Sequence, residues 1–86
     1  MYQISFRTVF LKQAKRLNKS RYNLLKSKIE LLKNPNSYYL LKVHKLHGEF
    51  SDRYSFSLDY SFRVTFKFNS KTEIILIAVG NHDIYK

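Results

Sequence analysis

"YSFSLDYSFRVTFKF", residues 54 to 68, places an aromatic or aliphatic side chain at every second position. Alternate side chains of a strand leave opposite faces, so one face holds Tyr54, Phe56, Leu58, Tyr60, Phe62, Val64, Phe66 and Phe68. The other carries Ser55, Ser57, Asp59, Ser61, Arg63, Thr65 and Lys67. Fifteen residues exceed an ordinary strand, so a turn near Asp59–Ser61 is expected to split the run into two antiparallel strands. The aromatic face then needs a second layer to cover it.

The flanks supply that layer. Downstream, Asn69–Lys71 ("NSK") reads as a hairpin turn, and "EIILIAV", Glu73 to Val79, is apolar on both faces, as a strand in the middle of a sheet is. Upstream, Tyr2, Ile4 and Phe6 alternate as a short first strand. Thr8 is the expected N-cap of a helix with Phe10, Ala14 and Leu17 on its apolar stripe. Asn18 to Ser20 break it, and a second helix follows with Tyr22, Leu25, Ile29 and Leu32 on one face. Pro35 disfavours helical geometry at Asn34 and ends that helix there. Between Pro35 and Gly48 the pattern is irregular, although Leu40, Leu41, Val43 and Leu46 are expected to pack. The predicted architecture is a single two-layer α+β domain over residues 1–86: an N-terminal strand, an αα-hairpin, then an antiparallel three-strand meander. The helices would cover the aromatic face, leaving the serines and Arg63 uncovered.

Charge narrows the function. The chain has 86 residues, 16 Lys and Arg against 6 acids, and a net charge of +10. Residues 1–34 hold nine basic residues and one acid, so the predicted helices carry most of the excess. Such a surface favours polyanions, although basic helices also serve solubility alone. Cysteine is absent, which removes disulfides and thiolate metal sites. The N-terminus lacks a continuous apolar segment, so no signal peptide is expected, nor any membrane partner, and the cytoplasm is the expected location. With two glycines there is no phosphate-binding loop, and six scattered acids offer no paired carboxylates. His44, His47 and His82 lack metal-ligand spacing, so neither metal nor cofactor is expected.

What remains is Arg, His, Tyr and Lys. That set suits cleavage of RNA by its own 2′-hydroxyl, which needs a base, an acid and fixed positive charge at the phosphorus. Arg63, on a rigid strand, is the first candidate, since guanidinium contacts phosphate in bidentate fashion without titrating. His82 stands just past Gly80 at the sheet rim, and His44 lies in "KVHKLHG". Each has a plainer reading: Arg63 as a solvent-facing strand residue, His82 as a terminal polar group, His44 as a satisfied loop histidine, and Tyr85 as a ring that pins the C-terminus. Ser55, Ser57 and Ser61, with Lys45, Arg53 and Lys67, are the candidate substrate contacts.

"HKLHG", "YSFSLDYSFRVTFKF" and "ILIAVGNHDIYK" together resemble the RelE/ParE toxin superfamily of bacterial toxin–antitoxin modules, nearest its RelE/StbE and YafQ-like branches. The likeness spans nearly the whole chain. Its most specific parts are Leu46–x–Gly48, the Tyr60–Val64 strand, and the Gly–x–His–Asp–x–Tyr ending. It implies the RelE-like microbial RNase fold and a ribosome-dependent messenger-RNA endoribonuclease acting without metal. It also implies a cognate antitoxin, ribosome and mRNA as partners, and operator DNA bound only through the antitoxin complex. Arg63 would hold the place of the phosphate-stabilising arginine. His82 would hold that of the RelE-like arginine or YafQ-like histidine, His44 that of a YafQ-like histidine, and Tyr85 that of the RelE-like C-terminal tyrosine. Ser55 and Ser57 replace RelE-like lysines, and Ser57 and Ser61 replace a YafQ-like histidine and aspartate. His44 and His82 are left to share the acid and base roles. The same scaffold also admits a ParE-like DNA gyrase poison, or a catalytically weakened RNA-binding homologue.

Overall fold

The computed structural model describes residues 1–81. Its strands are β1 (Gln3–Phe6), β2 (His44–Lys45), β3 (Tyr54–Ser57), β4 (Arg63–Phe68) and β5 (Glu73–Gly80). The helices are α1 (Thr8–Lys15) and α2 (Lys19–Lys33). The strands form one sheet in the order β1-β5-β4-β3-β2, with β1 parallel to β5 and the other pairs antiparallel. This is the expected two-layer α+β arrangement with one strand more. The added strand, β2, is two residues long and pairs His44 with Ser55 and Lys45 with Tyr54. So short a pair leaves no periodicity in sequence. No helix among the described residues is long and apolar enough to cross a membrane.

The core lies between the helices and the aromatic face. Phe10 and Ala14 of α1 and Leu25 and Leu32 of α2 pack with Phe56, Leu58, Val64, Phe66, Ile74, Leu76 and Val79. Three expected core residues stand outside it. Tyr60 is 98% exposed because it sits in the β3–β4 turn, where strand alternation has lapsed. Tyr22 and Leu40 are also exposed, the first on the solvent edge of α2 and the second on a 3-10 turn whose neighbour Leu41 takes the buried place. Thr8 is the first helical residue of α1, after Arg7 at the N-cap, whereas Asn18 caps α2 by accepting the Arg21 N–H at 2.8 Å. The chain leaves α2 at Asn34, extended as the following proline requires.

A β-bulge explains the apolar run in β5. Thr65 pairs with Ala78 and Phe66 with Leu76, so Ile77 is the extra residue. Without it, Leu76 and Val79, three apart, would face opposite ways; with it, both reach the helices. β5 also outruns β1, which pairs only with Glu73 to Leu76. On that vacated side the Val79 N–H donates to Gln13 Oε1 at 2.9 Å, tying α1 to the sheet rim.

The β3–β4 turn is fastened from α2. Asp59 Oδ1 accepts the N–H groups of Ser61 and Phe62 at 3.0 and 2.8 Å, and Oδ2 accepts Arg21 Nε at 2.7 Å. Arg21 also donates to Ser61 Oγ and stacks 3.8 Å from the Phe62 ring centroid. The Arg21 hydrogen bond, aided by the two backbone amides, lowers the Asp59 carboxyl to about 2. Its folded value lies below the unfolded one, so its stabilisation is full above about pH 4 and is lost as pH falls through about 2. Asp59→Ala is expected to destabilise by about 2 kcal/mol at neutral pH, as lost bonds to a charged group do. Urea melts should show that penalty shrinking across the same acid range.

Candidate functional site on the helix-free face

Two rows of side chains cross the face that the helices leave uncovered. His44, Ser55, Thr65 and Ala78 form one; Ser57, Arg63 and Gly80 form the next. The face is not the open floor expected from its small residues. Ser55 and Thr65 are only 2% and 3% exposed, with Thr65 Oγ1 donating to the Ala78 carbonyl at 3.5 Å. Ser55 is therefore a buried member of the sheet rather than a surface contact.

The accessible groups stand around this closed centre. Arg63 opens β4, half-buried, and its guanidinium makes no hydrogen bond or ion pair with any described residue. Its chain neighbours anchor its backbone, since Val64 is fully buried and Phe62 is held under Arg21. His44 is exposed on β2 and likewise has no described partner. From Arg63 it is two strands across and two residues along, a Cα separation of about 12 Å. Two long side chains on one face can close that gap from either side of a phosphodiester. Ser57 is exposed beside Arg63, and its carbonyl accepts Lys28 Nζ at 2.8 Å.

The remaining candidates divide. Lys67 shares the face but lies four residues from Arg63, about 13 Å along β4. Lys45 alternates with His44 and so points to the opposite side of β2. Arg53, just before β3, stacks 4.9 Å from the Phe50 ring centroid and lies 3.9 Å from Asp52. Ser61 belongs to the turn and accepts from Arg21, so the sheet does not present it beside Arg63. His82 and Tyr85 lie outside the described residues. No three His, Cys, Asp or Glu side chains gather as a metal site among the described residues.

The turn that leads from β2 towards β3 depends on Gly48, whose φ is +70°. Alanine there would meet no atom within 4 Å, so its cost is the left-handed backbone alone. Gly48→Ala is expected to destabilise by about 1 kcal/mol in urea unfolding.

Arg21, Lys28 and Lys33 are engaged by Asp59, the Ser57 carbonyl and Glu30. Among the described residues of 1–34, the exposed cations without a described partner are Arg7, Lys12, Lys15 and Arg16, on α1 or at its ends, and Lys19 at the start of α2; Lys42, Lys45 and Lys71 are further ones elsewhere. Sequence reading missed Arg21 because its partners lie 38 and 40 residues away.

No family model matches the sequence, and no curated protein matches it. Solved structures match the fold. YafQ from E. coli strain BL21(DE3) aligns at TM-score 0.79 and 17% identity, over 99% of this chain and 98% of that one. The YoeB/ParE toxin from Agrobacterium tumefaciens aligns at 0.79 and 15%, over 95% and 99%. A chain of the intact E. coli RelBE toxin–antitoxin complex aligns at 0.72 and 20%, over 94% and 96%. The fold is that of the RelE and YafQ toxins.

Proposed function

We propose that this chain is the toxin of a type II toxin–antitoxin pair and cuts messenger RNA on the ribosome without a metal. The observation that carries this reading is Arg63, a half-buried guanidinium without a described partner, on the helix-free face shared with His44. A cation in such a place, unshared with any described acid, is suited to charge that develops during a reaction.

In the reaction the ribose 2′-oxygen attacks the adjacent phosphorus as its proton passes to a base. The bond from phosphorus to the 5′-oxygen then breaks, and an acid protonates the leaving oxygen. Arg63 faces the phosphoryl oxygens, whose negative charge rises in the transition state. His44 and His82 carry the two proton transfers, because imidazole exchanges protons near neutrality. Tyr85 is a further candidate for either transfer. The free cations of α1 hold ribosomal RNA through its phosphates without reading sequence.

A cognate antitoxin is the expected protein partner, by likeness to the toxin–antitoxin complex of the RelBE fold relative. Operator DNA would be reached only through that complex, and the site of action is the cytoplasm. Purified protein added to a translating extract is expected to cut mRNA in the ribosomal A site. Inhibition of gyrase supercoiling with mRNA left intact would overturn this reading in favour of a ParE-like poison.

A further inference from the structure

A cleft of about 360 Å³ opens between the end of α1 and the rim of the sheet. Leu17, Phe62 and Val79 form its apolar wall, Gln13 and Arg16 its polar one, and Gly80 lies on its border. The cleft lies on the helix side of the sheet, at the rim where Arg63 stands on the opposite face. Phe62 precedes Arg63 in the chain, and Gly80 is its cross-strand partner on β5. Gly80, which has no side chain, lies between Arg63 and the cleft, and Asn81 completes the described lining.

The chemistry of the polar wall is fixed by one hydrogen bond. Val79 N–H donates to Gln13, and only the oxygen of a carboxamide accepts, so the Gln13 amide group is left as a donor. No described residue accepts from it. Arg16, exposed at the C-cap of α1, likewise has no described partner. Phe62 is steadied by the Arg21 guanidinium on its ring, which makes the apolar wall rigid. An apolar wall that includes one aromatic ring, with donors on one side, matches the acceptor edge of a nucleobase. Guanine offers two acceptors, O6 and N7, on one edge, whereas adenine and cytosine place an amino donor there.

We infer that the cleft is a base subsite for a guanosine nucleotide next to the phosphate held by Arg63, read by Gln13 and Arg16. Its place along the strand rests on the RNA-cleaving reading above; its chemistry does not. The test is an NMR titration of the full chain with guanosine 3′-monophosphate and cytidine 3′-monophosphate. The guanosine nucleotide is expected to shift the amides of Val79 and Gly80 and the side-chain amide of Gln13, and to bind about tenfold tighter than the cytidine one.

Arg16→Ala, on an exposed side chain, should weaken the guanosine nucleotide about tenfold. Gln13→Glu keeps the acceptor for Val79 but removes the donors, so the guanosine-to-cytidine ratio should fall or invert. Shifts confined to other regions, equal affinity for the two nucleotides, or wild-type affinity in both variants would overturn the subsite. The readout needs no ribosome. Guanosine binding here without mRNA cleavage would refute the proposed function and keep the subsite; cleavage without binding here would do the reverse.

Discussion

Arg63→Ala is expected to lower RNA cleavage about 10²–10³-fold, the scale of a lost transition-state donor, while the protein stays folded. The two halves of that expectation have separate grounds. Rate falls because the guanidinium is a cation of the helix-free face near His44, with no described partner sharing its charge. Stability holds because removing it orphans no buried group among the described residues and leaves the buried neighbour Val64 in place. Arg63→Lys should fall between, keeping a charge but losing the planar fork. Single-turnover rates on programmed ribosomes, read beside thermal melts, separate the effects. A variant that loses activity only in proportion to its unfolded fraction would show Arg63 to be structural.

The second large effect is on the fold. Phe66→Ala is expected to cost about 3–5 kcal/mol in denaturant unfolding. Phe66 is fully buried, and its ring meets those of Tyr38, Tyr54, Phe56 and Phe68 at centroid distances of 6.5, 5.7, 6.0 and 5.8 Å. It therefore joins β4 to β3 and to the 3-10 turn after α2, and no neighbouring backbone can collapse into its space without moving a strand. Domains of this size hold a few kcal/mol in reserve, so the loss would leave much of the protein unfolded at physiological temperature. A cost below about 1 kcal/mol would mean that the aromatic cluster repacks freely.

What the sequence made legible follows from locality. Alternation over Tyr54–Phe68 identifies the hairpin, Pro35 marks the end of α2, and the Asn69–Lys71 turn marks the start of β5, because each signal lies within a few residues. β2 is invisible because two residues carry no period, and the bulge at Ile77 because parity changes only where two strands meet. Tyr60 misleads because alternation continues in sequence through a turn that breaks it in space.

The site follows the same division. Arg63 could be placed on the helix-free face from its flanking core residues alone. The burial of Ser55 and the capture of Ser61 by Arg21 depend on distant segments and could not be read. The reversed side of Lys45 required the register of a strand the pattern did not announce.

The helix-free face is expected to support attack by the ribose 2′-hydroxyl on the neighbouring phosphate. The most direct measurement places one 2′-deoxynucleotide at the cleaved position of an mRNA on the ribosome and analyses the ends of the all-ribose control. No cut is expected at the deoxy position, and the control should end in a 2′,3′-cyclic phosphate and a 5′-hydroxyl. Undiminished cleavage of the deoxy substrate, or product ends bearing a 5′-phosphate, would contradict it.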